Sequence, residues 1–119
     1  MKIITTPIDG LVVFEPSVFA DGRGYFFESW NKSFFNSCGL DINFDQDNQS
    51  SSKKNVLRGL HFQNPPYEQG KLVRVVHGSV LDVVVDLRKK SSTYGKNFTI
   101  KLSSLNKKIF WIPPGFAHG

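Results

Sequence analysis

The stretch RGLHFQNPPYEQGKLVRVVHG, residues 58–78, concentrates cationic and titratable side chains among apolar residues typical of strands. His61 lies between Leu60 and Phe62, and a histidine can take up a proton near neutral pH. In an extended strand, His61 would share its side with Gly59, which leaves open space beside the ring. A lone histidine in a strand is more often structural, but this setting makes His61 a candidate general base.

Three cations flank this histidine in the sequence. Lys71 begins the next apolar stretch, and an ammonium group beside a carbonyl oxygen stabilises the charge of an enolate. Arg58 adjoins His61, and a guanidinium group can hold phosphate oxygens through two hydrogen bonds. Lys71 could instead reach solvent from a strand end, and Arg74 could equally be an edge-strand charge. Together, a histidine that can take up a proton and several cationic side chains favour an anionic substrate that exchanges protons.

The segment Pro113-x-Gly115-x-x-His118 resembles the second sequence motif of the cupin superfamily. The first cupin motif contains a His-x-His pair followed by a glutamate, and neither His61 nor His77 has a histidine two positions away. A metal site needs three or four clustered ligands. The spacing therefore predicts a site without a metal or a cofactor, and His77 is interpreted as a structural residue at a hairpin turn.

Two polar stretches precede this region. The segment ADGRGYFFE, residues 20–28, contains the candidate binding residues Arg23 and Glu28. If they have no role in binding, Arg23 belongs to a charged turn and Glu28 is an edge-strand glutamate. Further on, Gln46, Asn48 and Ser50 occupy alternate positions, so that one side of an extended segment would carry three hydrogen-bonding side chains. Such groups suit the hydroxyls and base edge of a nucleotide sugar, although an exposed strand would also contain them.

The elements that must position these residues are mainly short strands. Residues 31–38 are the exception, where Asn31 is a suitable N-cap and Gly39 a suitable residue after the C-cap of a short helix. Strands at regular spacing between turn residues predict an all-β sandwich or barrel. The strand segments are KIITT, LVVFEP, YFFESW, INFDQDNQS, VLRGLHFQ, KLVRVVHG, SVLDVVVDLR, NFTIKLS and KIFWIPPG.

The chain has 119 residues, of which 39% are hydrophobic, and this length suits one domain over residues 1–119. The 15 Lys and Arg against 10 Asp and Glu give a net charge of +5, which favours an anionic partner. The basic residues neither cluster nor alternate with aromatics, so nucleic-acid binding is the least favoured function. With only Cys38, no intrachain disulfide can form, and no segment is typical of a signal peptide or a membrane span; a cytoplasmic location follows as the expectation.

Four segments occur in order at the spacing of one family: RGLHFQ, GKLVRV, DVVVDLR and IPPGFAHG. With FADGRGYFFE and FDQDNQSSS, they resemble the dTDP-4-dehydrorhamnose 3,5-epimerases of dTDP-L-rhamnose synthesis, over nearly the whole chain. The resemblance implies a metal-independent cupin-type jelly roll. It also implies that His61 removes the C3 and C5 protons of the sugar and that Lys71 stabilises the enolate at the C4 ketone. Arg58 and His118 would contact the sugar or the diphosphate.

The resemblance also implies a homodimer in which N-terminal strands cross to the partner. Gln46 and Asn48 would then hold the nucleotide sugar, whereas Arg23 and Glu28 would reach the nucleotide end of the partner subunit's site.

The chains of this family continue beyond the AHG turn. The remainder supplies a tyrosine for reprotonation, an aspartate that pairs with the histidine, and an aromatic that stacks on thymine. Tyr25, Tyr67 and Tyr94 do not occupy the matching position. We therefore expect the domain to be incomplete at its C-terminus relative to the family, and this form to be weakly active or inactive.

Other functions stay open at this point. Related enzymes act on the same 4-keto sugar but epimerise one carbon or move the ketone. A non-catalytic module would bind dTDP and leave the C–H bonds of the sugar intact. A metal-dependent cupin oxygenase or isomerase would need the His-x-His pair that this sequence lacks.

Overall fold

The computed structural model describes all 119 residues and contains nine short strands and one helix. This composition confirms the prediction of an all-β protein with a single short helix. The elements are β1 (Lys2–Thr5), β2 (Val12–Glu15), β3 (Phe19–Asp21), β4 (Gly24–Phe26), α1 (Lys32–Ser37), β5 (Lys71–Arg74), β6 (Ser79–Asp86), β7 (Asn97–Ser103), β8 (Ile109–Ile112) and β9 (Phe116–His118).

The residues form two compact units, Met1–Ser17 with Arg58–Gly119, and Val18–Leu57. The first unit contains an antiparallel sheet with the strand order β1-β2-β8-β5 and a second antiparallel sheet with the order β7-β6-β9. The second unit contains the hairpin β3–β4 and the helix α1. The single domain over residues 1–119 stays a prediction.

The core of the first unit lies between its two sheets. Ile4, Val13, Phe110 and Val73 occupy one row across the first sheet, because each is directly opposite the next in the strand register. Directly opposed residues project from the same face of a sheet, and this row packs into the core. The second sheet contributes Val84, Leu102 and Phe116 to the same core. The apolar faces of the two sheets therefore face each other.

Buried and more exposed side chains alternate along the second half of strand β6, and the side that carries the aspartates is turned inward. Asp82, Val84 and Asp86 are buried, whereas Leu81 on the other side is 63% exposed. A buried carboxylate is tolerated when it has hydrogen-bond partners, and both aspartates have them. The charged side of β6 is thus the one that faces the core.

The second unit confirms the predicted helix. The Asn31 side-chain oxygen accepts a hydrogen bond from the Phe34 backbone N–H at 3.0 Å, as an N-cap does. Gly39 follows the helix with a φ of +78°, a conformation that favours glycine. Trp30 packs near Phe35 and Phe44, with ring centroids 6.4 Å and 6.0 Å away. No helix in the chain has both the length and the apolar character to cross a membrane.

Three strand predictions were wrong in whole or in part. The segment INFDQDNQS, residues 42–50, forms no strand, and YFFESW is extended in a strand only as far as Phe26. In VLRGLHFQ, residues 56–63, only an isolated bridge at His61 pairs with another strand. Gly59 has a φ of +99°, so the backbone leaves the extended conformation there. The predicted alternation of side chains through this segment consequently does not hold.

Gly70 lies immediately before β5 and against Trp111. A Cβ atom at position 70 would overlap Cη2 of the Trp111 ring. We therefore expect Gly70→Ala to lower the free energy of unfolding by about 1–3 kcal/mol, the usual range for overpacking. Urea denaturation measures this change. Gly22→Ala is the matched control, because a Cβ there would meet no atom within 4 Å; an equal loss in both variants would contradict the steric account.

Candidate functional site

His61 and His118 lie directly opposite each other. The His61 N–H donates to the His118 carbonyl oxygen at 2.9 Å, and the His118 N–H donates to the His61 carbonyl oxygen at 3.1 Å. Residues opposed in this way project from the same face, with their Cβ atoms about 5 Å apart. His118 is also directly opposite Val84, which belongs to the core. Both imidazoles consequently project on the core-facing side of the β7-β6-β9 sheet.

The two histidines differ in burial and in partners. The Nδ1 atom of His118 lies 3.3 Å from Asp82 Oδ1, and only 16% of the His118 side chain is exposed. A carboxylate at Nδ1 orients the ring and leaves Nε2 for another contact. His61 is exposed and makes no side-chain hydrogen bond within the chain. His118 is therefore fixed in position, and His61 is open to an incoming group.

Lys71 occupies the corresponding side of the other sheet. It is directly opposite Ile112, whose side chain is 2% exposed and lies in the core. Its side chain therefore leaves the backbone on the core-facing side, and the residue is half-buried. No carboxylate pairs with its ammonium group. An unpaired cation in this position suits an oxygen that becomes negatively charged.

Arg58 is held near these residues by a close backbone approach. A Cβ atom on Gly119 would lie almost on the Arg58 carbonyl oxygen, and one on Gly59 would lie 2.9 Å from the His118 carbonyl oxygen. Only glycine fits at these two positions. The chain segment that contains Arg58 and His61 can thus lie directly against β9 and His118.

The remaining predicted site residues belong to the second unit. The Gln46 amide nitrogen donates to the Asn48 side-chain oxygen at 3.3 Å, so these two side chains are neighbours although their segment is not a strand. Glu28 Oε2 accepts a hydrogen bond from the Asn31 amide at 3.2 Å. Arg23 forms an ion pair with Asp21 at 2.7 Å, which raises the pKa of Arg23 and lowers that of Asp21.

Sequence reasoning missed Asp82. In an extended strand, Asp82 and Val84 project from the same side, but nothing in the sequence indicated which side of β6 is buried. The signal that could have found it is a charged residue within an apolar strand, combined with a histidine in a later strand. Asp82 lies in β6 and contacts His118 of β9. No three His, Cys, Asp or Glu side chains are grouped closely enough to hold a metal ion.

Comparison with known proteins places the chain in a family. The sequence model of the dTDP-4-dehydrorhamnose 3,5-epimerases matches residues 5–119. The dTDP-4-dehydrorhamnose 3,5-epimerase of Shigella flexneri is 54% identical over 120 aligned positions, which cover 100% of this chain and 66% of that protein. The chain belongs to the dTDP-4-dehydrorhamnose 3,5-epimerase family.

Solved structures of relatives share the fold. The dTDP-4-dehydrorhamnose 3,5-epimerase of Elizabethkingia anophelis is 48% identical with a TM-score of 0.93, covering 99% of this chain and 65% of that one. A dTDP-6-deoxy-D-glucose-3,5-epimerase of Legionella pneumophila, solved with dTDP-4-keto-L-rhamnose, is also 48% identical with a TM-score of 0.93, covering 98% of this chain and 62% of that one. The predicted cupin-type jelly roll is thereby confirmed. The chain spans slightly less than two thirds of the length of these relatives.

Proposed function

We propose that the protein epimerises C3 and C5 of dTDP-4-dehydro-6-deoxy-D-glucose to give dTDP-4-dehydro-L-rhamnose. One observation carries the proposal: an open histidine and an unpaired lysine project from the facing sides of the two sheets. A base and a fixed positive charge are the two groups needed to remove a proton beside a ketone. Membership of the epimerase family and the similarity to an enzyme solved with dTDP-4-keto-L-rhamnose support the same reaction.

The chemistry follows from the C4 ketone of this substrate. A base breaks the C–H bond at C3 or C5, and the electron pair of that bond moves towards the C4 oxygen to give an enolate. We assign His61 as the base and Lys71 as the cation beside that oxygen. A proton from solvent returns to the opposite face of the carbon and inverts its configuration, while His61 releases the proton it took up to solvent. The same steps at the second carbon complete the reaction. The positive charge of Lys71 allows this chemistry without a metal or a cofactor.

Four further residues are assigned to substrate binding. Arg58 and His118 would contact the sugar or the diphosphate, and the Asp82 carboxylate would keep the His118 Nε2 atom turned towards that ligand. Gln46 and Asn48 already contact each other and would hold the nucleotide sugar.

Lys71→Met tests the proposed electrophile. The substitution keeps most of the side-chain volume and removes the charge, so we expect about a 10²- to 10³-fold slower exchange of the C3 and C5 protons of the substrate with solvent. Proton NMR in heavy water measures this rate. Lys101→Met, at an exposed position in β7, is the matched control and should leave the rate unchanged. A normal rate in Lys71→Met would remove Lys71 from the mechanism.

The same experiment separates the alternative functions. Exchange at one carbon only would indicate a single-site epimerase, and a change in the position of the ketone would indicate a ketoisomerase. Binding of dTDP without exchange at either carbon would indicate a nucleotide-sugar-binding module.

We further propose a homodimer with exchange of N-terminal strands, in which Arg23 and Glu28 reach the nucleotide end of the partner's site. Phe19 and Phe26 support it, because they are directly opposed in the hairpin and are 67% and 70% exposed. Exposed aromatic pairs of this kind are typical of interfaces. Sedimentation equilibrium tests the assembly. A monomer at a protein concentration of roughly tens of micromolar, which exceeds the dissociation constant of most stable dimers, would contradict it.

A cytoplasmic location is also part of this proposal, supported by the single cysteine.

A further inference from the structure

Asp86 and Arg88 form an ion pair that the proposed reaction does not use, between a buried carboxylate and a guanidinium group that is 30% exposed. Asp86 is completely buried, and its two carboxylate oxygens accept hydrogen bonds from Arg88 Nε and Nη2, each at 2.9 Å. The hydroxyl groups of Ser91 and Thr93 also donate to Asp86 Oδ2, both at 2.7 Å. The Arg88 side chain is thus held in one orientation by a carboxylate whose own position is fixed.

The guanidinium group of Arg88 then contacts two other parts of the chain. Its Nη2 donates to the Asp9 carbonyl oxygen at 2.8 Å, which ties the turn after β1 to this site. Its Cζ lies 4.5 Å from the centre of the Phe116 ring, a distance typical of a cation–π contact. Phe116 is the first residue of β9, and His118 is the last.

The turn before β9 is fitted closely against the same arginine. A Cβ atom on Gly115 would lie 2.7 Å from Arg88 Cγ, and Gly115 has a φ of +93°. The Leu87 N–H also donates to the Gly115 carbonyl oxygen at 3.0 Å. The beginning of β9 is therefore fixed by Arg88 from the side and by Leu87 through the backbone.

We propose that Arg88 is a positioning residue for the site: by holding Phe116, it fixes β9 and so sets His118 against His61 and Asp82. This inference rests on the proposed function, because the position of His118 matters for activity only if His118 contacts the substrate. The geometry alone carries the mechanical part, since Phe116 and His118 belong to the same three-residue strand. Arg88 itself touches no reacting atom in this proposal.

Amide hydrogen exchange tests the mechanical part without any substrate. The His61 and His118 amide N–H groups each donate to the carbonyl oxygen of the other residue. The Ser104 N–H, which donates to the Gly78 carbonyl oxygen at 3.0 Å, serves as the remote reference. In Arg88→Lys, which keeps the charge but loses the planar fork, we expect at least about tenfold faster exchange at His61 and His118 relative to Ser104. Equal acceleration at all three amides would overturn the proposal and leave Arg88 a general stabiliser.

Asn106→Ala is the matched destabilised control. The Asn106 side chain closes the β7–β8 turn, accepting hydrogen bonds from the Ser103 and Lys108 N–H groups at 3.1 Å. We expect this variant to speed exchange at Ser104 and not at the two histidines. If Arg88→Lys does not fold, Phe116→Leu keeps an apolar side chain in the core but removes the ring contact to Arg88, and it should give the same selective increase at His61 and His118. Uniform acceleration in that variant would overturn the proposal in the same way.

Binding of dTDP, measured by calorimetry, separates this inference from the proposed function. If the parent protein binds dTDP, weaker binding by Arg88→Lys and normal binding by Asn106→Ala would support the link from Arg88 to the site. If the parent binds no dTDP, the proposed function fails, while a selective exchange effect would still establish that Arg88 positions β9.

Discussion

Replacing His61 with asparagine is expected to slow the exchange of the C3 and C5 protons of dTDP-4-dehydro-6-deoxy-D-glucose by about 10²- to 10⁴-fold, the usual contribution of a general base. Asparagine keeps a polar side chain of similar reach but cannot accept a proton. Proton NMR in heavy water measures the rate at each carbon separately. The fold should survive, because His61 is exposed and its bonds to His118 involve only backbone atoms.

His77→Asn provides the matched control. His77 is exposed in the turn before β6, and its position there indicates a structural role. The substitution should leave exchange at both carbons unchanged. An equal loss in the two variants, or an undiminished rate in His61→Asn, would show that His61 is not the base.

The second large effect is expected at Asp86. Asp86→Asn removes the buried carboxylate that accepts hydrogen bonds from the partly exposed Arg88 guanidinium, so the free energy of unfolding should fall by about 1.5–3 kcal/mol, the usual range for hydrogen bonds to charged groups. Asp21→Asn is a closely matched control, because Asp21 and Arg23 form the same two-residue pairing on the surface, where Arg23 is 92% exposed. Urea denaturation should detect no loss in that variant. A small effect at Asp86 would mean that burial already cancels the attraction between the two charges.

The contribution of Asp86 to the free energy of unfolding is also expected to depend on pH. The hydrogen bond from Arg88 holds the pKa of the Asp86 carboxyl well below its usual range, although burial acts in the opposite direction. A carboxyl whose pKa is lower in the folded than in the unfolded state stabilises the fold above its unfolded pKa of about 3.9, and this contribution is lost as the pH falls. The difference in stability between the parent and Asp86→Asn should therefore shrink below about pH 4. A difference that stays constant to pH 2.5, a pH roughly one unit below the unfolded value, would contradict this account.

Local sequence signals predicted those elements that local chemistry determines. The helix at 31–38 needed only the Asn31 cap and the glycine after it, and both are present in the structure. The strand at 79–88 showed a clear alternation, and β6 occupies residues 79–86 of it. The type of each of these two elements, and its position to within about two residues, follow from the residues of the segment itself.

The remaining features depend on residues distant in the sequence. The bend at Gly59 follows from its close approach to β9, some sixty residues later, which the alternation in VLRGLHFQ could not reveal. The buried side of β6 is the charged one because His118 and Arg88 are its partners. The candidate base, the lysine and His118 were identified from residue types and from the resemblance. That His61 and His118 are directly opposed, and that Asp82 contacts His118, required the structure.

The most direct test of the central claim is proton NMR of dTDP-4-dehydro-6-deoxy-D-glucose in heavy water with this protein. We predict that both the C3 and the C5 proton signals disappear, at rates that His61→Asn and Lys71→Met each reduce. Exchange requires only the base and the cation, so this result is expected whether or not the configuration of the sugar is inverted. Persistence of both signals while the protein binds dTDP would contradict the account and would identify the site as one that binds nucleotide sugars without removing their protons.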